Sequence, residues 1–174
     1  MRPSRAFGKF KMIRKVNSGD IKQICSIYNY YIEKTVITFE EIPVSETEME
    51  NRIKSITASF PWFVYEIDDQ VAGYAYAGKW KERSAYRFSA ESTIYIRNDF
   101  TGKGIGSELY KRLLEELKSA NIHAVIGIIA LPNEKSQKIH EKFGFRKAGH
   151  IAEAGFKFNT WLDVGYWELI LTEK

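Results

Sequence analysis

The chain holds one cysteine, Cys25, in 174 residues, so an internal disulfide framework is excluded. Cys25 falls in the apolar register of a helix-forming stretch, where buried packing is the default for a lone thiol. No histidine lies near it in sequence, although folding can bring a partner in. Long apolar runs are also missing. Nothing approaches the roughly eighteen consecutive apolar residues of a membrane helix, and residues 1–15 carry no stretch of signal-peptide character. A cytoplasmic protein with no membrane partner is expected. Charge of one sign is scarce as well: 26 basic against 22 acidic side chains leave a net charge of +4. Several positive charges gather early, at Arg2, Arg5, Lys9, Lys11, Arg14 and Lys15. A flexible basic terminus over 1–10 is the plain reading, ahead of a nucleic-acid arm, because no basic helical stripe or interleaved RNA-binding motif follows. Neither nucleic acid nor a metal is expected as a partner.

What is present describes a packed domain. The sequence is 44% apolar, 28% charged and 14% aromatic, which speaks against disorder, and 11–174 is sized for a single domain. Met12–Val16 reads as a strand. Asn17 can cap the next segment with Asp20 at the third position, and Ile21, Ile24, Cys25, Tyr28 and Ile32 recur at helical spacing. Thr35–Phe39 is an irregular extended link. Ser45 and Glu48 form a capping-box signature before a second helix carrying Met49, Ile53 and Ile56, which Pro61 closes. Phe63–Ile67, the Asp68–Asp69 turn and Val71–Gly78 predict a hairpin. Lys79–Arg87 reads as a loop, Ser92–Ile96 as a strand and Ile105–Lys118 as a helix. Val125–Leu131 is nearly all apolar, as a strand covered on both faces requires. A short helix capped by Asn133 follows. Phe145–Ala148 starts a strand, Tyr166–Leu171 is the last one, and Phe156–Leu162 connects them. This order predicts an α+β domain, one sheet with helices on both faces.

The segment from Arg97 to Gly106 joins a strand to a helix through Gly102, Gly104 and Gly106. Glycines there remove Cβ atoms and permit positive φ. The first turn of the following helix offers unpaired N–H groups, a ready anion site, to which Lys103 could add charge. A tight turn with no ligand remains the alternative. The segment is not a P-loop, since the Gly-Lys-Ser/Thr ending is absent, and it lacks the dinucleotide Gly-x-Gly-x-x-Gly spacing.

Taken with its neighbours, the segment resembles the GNAT superfamily of N-acetyltransferases, whose cofactor loop has the form Gln/Arg-x-x-Gly-x-Gly/Ala. Here it reads Thr101-Gly102-Lys103-Gly104-Ile105-Gly106, with Thr101 departing from the usual Gln or Arg. Asn133-Glu134-Lys135-Ser136, Ile139-His140 and Gly144-Phe145 resemble a second family segment. Ile27–Ile32, Glu91–Tyr95, Ala130–Asn133, Ile139–Glu141 and Gly155–Phe158, continued by Trp161–Trp167, are similar to phosphinothricin acetyltransferases, in which a histidine at the position of His140 is expected. The resemblance covers about 12–171.

The resemblance implies a mixed, twisted sheet in which Ser92–Ile96 and Val125–Leu131 are parallel neighbours that splay apart. It places acetyl-coenzyme A (acetyl-CoA) in the opening. Thr93, Ile94, Tyr95 and Ile96 would pair with its pantetheine amides, and Thr101, Gly102, Lys103, Gly104, Ile105, Gly106 and Ser107 would meet its pyrophosphate. Asn133 and Ser136 would lie beside it, Asn133 first as a helix cap. Lys138 or Lys142 could approach the outer phosphates or remain solvated. Glu91 becomes the candidate general base and His140 the candidate proton donor, or hydrogen-bond partner, for the departing sulfur. Without the resemblance, Glu91 is an ordinary strand-edge carboxylate and His140 a satisfied, partly buried ring. For the acceptor, Tyr28, Tyr31 and Phe39 are candidate walls. Arg83, with Arg87 and Tyr86 near it, is the candidate for a carboxylate. Relatives are commonly dimeric, so a homodimer is expected. The implied reaction is N-acetylation of a small amino-acid-like amine of the phosphinothricin or methionine sulfone/sulfoximine type. Polyamine, aminoglycoside or protein N-terminus acetylation, and a non-catalytic acyl-CoA sensor, are the alternatives.

Overall fold

The computed structural model describes residues 10–171. Their strands are β1 (Lys11–Lys15), β2 (Trp62–Ile67), β3 (Gln70–Lys79), β4 (Ser89–Ile96), β5 (Ala124–Leu131), β6 (Arg146–Lys157) and β7 (Thr160–Ile170). The helices are α1 (Ile21–Lys34), α2 (Glu46–Thr57), α3 (Ile105–Ser119) and α4 (Glu134–Lys142). The strands form one sheet in the order β1-β2-β3-β4-β5-β7-β6, antiparallel throughout except for β4 against β5.

Local chemistry accounts for the element starts. The Asn17 side chain accepts from Gly19 N while Asp20 accepts from Asn17 N, winding a short 3-10 turn that leads into α1. Ser45 Oγ accepts from Glu48 N at 3.1 Å and starts α2. Strand alternation then divides the core into two layers. Trp62 and Val64 of β2 pack with Ile24, Ile32, Met49 and Ile53 of α1 and α2. Phe63 and Tyr65 face the other way, onto Leu109, Tyr110, Leu113 and Leu117 of α3. Because helices cover both faces, β2 reads as an apolar run and not as an alternating one.

Three expectations need correction. The last hairpin is much longer than the pattern suggested: Phe156–Leu162 is not a connector but the tip of β6 and β7, turned at Phe158 and Asn159 with φ of 50° and 58°. Most of β6 is exposed, so it carries no alternation to read, and its turn lacks a glycine. β5 is not covered on both faces along its whole length, since Ile128 is exposed. The terminus boundary shifts too. Phe10 N donates to Asp68 Oδ1 and Asp68 N donates to Phe10 O, so residue 10 joins the sheet edge; the rest of the expected basic terminus lies outside the described residues. Cys25 is buried, its thiol donating to Val44 O at 3.0 Å. Among the described residues no helix is long and apolar enough to cross a membrane, and no group of three or more His, Cys, Asp or Glu could hold a metal ion.

Candidate active site

The parallel pair β4–β5 is in register only from Ser89↔Ala124 to Ser92↔Gly127. Beyond that point β4 stays paired with β3 as far as Ile96, and β5 with β7 as far as Leu131. The two strands therefore part after Ser92 and Gly127. Backbone groups of β4 after the fork lose their ladder partners on the β5 side and need others. Tyr31 Oη takes one of the end groups of β4, donating to Ile96 O at 2.6 Å. The fork itself is filled by polar side chains. Ser92 Oγ lies 2.6 Å from Tyr110 Oη, a buried pair reaching from β4 to α3.

Two cavities open from the splay and share the lining residues Ile37, Ile94, Tyr95, Asn133 and Ser136. The larger, about 490 Å³, runs over the glycine turn between Ile96, Phe100 and α4. Gly102 and Gly104 have φ of 76° and 82°, and a Cβ on either would meet nothing within 4 Å. Their backbone thus faces open space. Gly104 N-caps α3 without a side-chain cap; Ser107 N already donates to Gly104 O at 3.0 Å, so the N–H groups of Ile105 and Gly106 and the positive end of the helix dipole are what face an anion. These residues fit a pyrophosphate.

The side chains of the turn are engaged locally. Thr101 Oγ1 donates to Asn98 O. Lys103 does not line the cavity as expected: its ammonium donates to Asp99 O at 2.8 Å and sits over the Phe100 ring. The cations at this cavity come from α4 instead, as Lys135, Lys138 and Lys142. Lys142 Nζ donates to Ser107 Oγ at 3.0 Å.

The smaller cavity, about 260 Å³, is lined by Glu91, Thr93, Thr38 and Phe39, with Ile128, Ala130 and Val164 across from them and His140 at its α4 side. Burial pushes the Glu91 carboxyl above its ordinary range, opposed by the charge of Lys81. His140 is 4% exposed, and burial lowers its pKa. Its Nδ1 lies 2.7 Å from Ser136 O. A carbonyl only accepts, so Nδ1 carries the hydrogen. The neutral ring then has a lone pair at Nε2 and no proton to release there. Donation to a departing sulfur, the expected role, would need a second proton that burial opposes.

The expected acceptor residues separate in space. Phe39 lines the smaller cavity. Tyr31 lines only the larger cavity, its hydroxyl being bonded to the end of β4. Tyr28 stands behind the wall, hydrogen-bonded to Thr38 Oγ1 and Glu40 and edge-on to Tyr95. Arg83, Tyr86 and Arg87 do not reach the Glu91 cavity within this chain. The connector folds through a 3-10 turn at Ser84–Tyr86 and packs them into a depression beside Pro61 and Leu117. Asn133 Oδ1 accepts from Ser136 N, so it caps α4 while lining both cavities.

Sequence reasoning missed Gly127, Tyr110, Thr38, Ile128 and Val164. Only Gly127 left a signal: an isolated glycine inside an apolar strand marks close approach of another group.

Comparison with known proteins agrees with this geometry. Residues 13–165 match the family model for the acetyltransferase (GNAT) domain. Phosphinothricin N-acetyltransferase of Streptomyces viridochromogenes is 36% identical, over 90% of this chain and 85% of that protein. The L-methionine sulfoximine/L-methionine sulfone acetyltransferase of Pseudomonas paraeruginosa is 30% identical, over 91% and 94%. The solved phosphinothricin acetyltransferase of Sinorhizobium meliloti in complex with AcCoA superposes with a TM-score of 0.89 at 33% identity, covering 92% of this chain and 88% of that one. The glycine turn and the fork between β4 and β5 thus sit in a fold shared with known acetyltransferases, and the chain belongs to the GNAT family as an acetyl-CoA-dependent N-acetyltransferase.

Proposed function

We propose that the enzyme acetylates the free amine of a small amino-acid-like acceptor, of the phosphinothricin or methionine sulfone/sulfoximine type. The observation that carries this reading is the size and polarity of the Glu91 cavity. At about 260 Å³ it accommodates an amino acid and is small for a whole aminoglycoside. The two curated relatives named above act on such compounds by name.

Bound acetyl-CoA supplies an acetyl group activated as a thioester. Thr93–Ile96 offer the β4 edge to its pantetheine, and the backbone from Gly102 to Ser107 takes its pyrophosphate. Glu91 removes the ammonium proton of the acceptor, directly or through water, so that the neutral amine can attack. Its raised pKa brings the carboxylate closer to that of the proton it must take. Backbone N–H groups on the β5 side of β4 stabilise the oxygen charge that develops. His140, neutral and with Nε2 unprotonated, accepts a hydrogen bond from the amine or a bridging water, and the second nitrogen proton leaves to solvent along that path as the C–S bond breaks; the departing thiolate takes its proton from solvent. Lys81, Arg83 and Arg87 all line the depression beside Pro61, and Lys81, the one whose charge acts on Glu91, is the candidate for the acceptor carboxylate.

The reading places the enzyme in the cytoplasm as a homodimer. Phe156, Phe158 and Trp161 are 49%, 57% and 60% exposed at the tip of the last hairpin, apolar area that a second copy can cover. A thiol-release screen across phosphinothricin, methionine sulfone, free amino acids, polyamines, aminoglycosides and peptides tests the acceptor class. Turnover with the first two is expected, and activity confined to polyamines or peptides would reject it.

A further inference from the structure

Lys157, the last residue of β6, is 1% exposed, a rare position for an ammonium group. Its Nζ donates to the backbone carbonyl of Thr38 at 2.8 Å. Burial lowers the Lys157 pKa, while Glu41 and Glu40 act to keep it charged; Glu40 is itself bound to Arg52 at 2.6 Å. A lysine that only filled space here would be outperformed by an apolar side chain, because one neutral carbonyl and the face of the Phe158 ring, 5.1 Å away, are modest compensation for removing a charge from water.

The position of Thr38 gives the contact a use. Thr38 lies in the link between α1 and α2, which has no helix or strand hydrogen bonds of its own to hold it. Ile37, Thr38 and Phe39 form the wall of the Glu91 cavity. Two residues before Lys157, Gly155 lies against the Phe39 ring so closely that a Cβ on it would collide with that ring. The tip of the β6–β7 hairpin thereby grips two successive residues of the wall from behind, one by a hydrogen bond and one by contact. The Thr38 hydroxyl is held separately, by Tyr28 Oη at 3.0 Å.

We propose that Lys157 is a positioning residue for the acceptor: its ammonium fixes the Thr38 carbonyl and, with Gly155 behind Phe39, sets the distance of Thr38 and Phe39 from Glu91. Acceptor binding depends on this grip, and binding of acetyl-CoA at the glycine turn does not. The inference takes the identity of the acceptor from the function proposed above, while the grip itself is independent of it.

The test is Lys157→Met, compared with Lys157→Gln, which retains a donor, and with Gly155→Ala. With phosphinothricin as acceptor, Lys157→Met should raise the acceptor KM about tenfold, leave the acetyl-CoA KM within about twofold, and be partly restored in Lys157→Gln. Hydrogen exchange should speed up in residues 35–44 and stay unchanged over α3. An equal rise in both KM values, or unchanged exchange in 35–44, overturns the proposal. If Lys157→Met does not fold, Gly155→Ala decides by the same split of KM values. If the wild type turns over neither phosphinothricin nor methionine sulfone, the acceptor reading fails, and the exchange comparison still decides the role of Lys157.

Discussion

The imidazole of His140 occupies the space that a side chain on Gly127 would take: a Cβ there would collide with Nε2. The ring is held from the other side by Ser136 O and packs edge-on against Tyr110 and Phe145. Gly127 is also the last residue of β5 paired with β4. One glycine therefore admits the histidine where the sheet opens. Gly127→Ala should displace the ring and lower kcat by about tenfold to a hundredfold, the scale of a misplacement near 1 Å, with the acetyl-CoA KM little changed. A steady-state comparison checks it; full activity would mean that the ring position is not used.

His140 should remain neutral across the working pH range. Its pKa is lowered by burial, so the folded chain resists a proton that the unfolded chain accepts near the ordinary histidine value. Stability from this group is therefore present above that value and is lost as pH falls from it toward the lowered one. Nitrogen chemical shifts of the ring should report hydrogen on Nδ1 and none on Nε2 at neutral pH. Titration at or above the ordinary value would restore the proton-donor role.

Glu91 carries the opposite sign of linkage. Its folded pKa is raised, so its favourable contribution is complete below the unfolded value and is lost as pH rises through the folded one. Glu91→Gln should melt higher than wild type at neutral pH, and the difference should shrink as pH falls below the carboxylate range. The same substitution should cut kcat/KM by about 10²–10⁴-fold and abolish its acidic limb. A variant with no gain in Tm and an intact acidic limb would remove Glu91 as both a strained group and the base.

At the cofactor end, Lys142→Ala should raise the KM for acetyl-CoA several-fold and flatten its dependence on salt. The reason is that Lys103 is occupied with Asp99 O while Lys142 stands at Ser107, and a charge contact with phosphate is screened by added ions. The acceptor KM should hold. Equal salt sensitivity in wild type and variant would leave the phosphates to the backbone alone.

The Ser92–Tyr110 pair at the fork makes a stability prediction. Either Ser92→Ala or Tyr110→Phe leaves a buried hydroxyl short of its partner, at a cost of about 1–3 kcal/mol. The double variant should cost less than the sum of the two, read as Tm and denaturant midpoint. Simple additivity would mean that the two hydroxyls are not coupled.

Much of the frame was readable because it rests on local chemistry. The caps at Asn17 and Ser45, the Asp68–Asp69 turn and the every-fourth-residue leucines of α3 act over a few residues, so the sequence alone located α1–α3 and the β2–β3 hairpin. The glycine turn was readable for the same reason: positive φ and an open helix start are properties of the segment itself. The β6–β7 hairpin was not readable, since an exposed strand has no buried face to imprint a pattern.

The site divides in the same way. Glu91 and His140 could be named from the sequence only through resemblance, because nothing local marks a half-buried carboxylate or a neutral imidazole; burial is decided by what the rest of the chain brings up. The tautomer of His140 follows from Ser136 O, its position from Gly127, and the turning away of Lys103 from Asp99 and Phe100. The contact of Lys157 with Thr38 O spans 119 residues of sequence. Sequence determined α1–α3, the β2–β3 hairpin and the glycine turn through short-range backbone preferences. Tertiary structure alone decided which charges face the cavities, because burial and hydrogen-bond partners are set by contacts between distant segments.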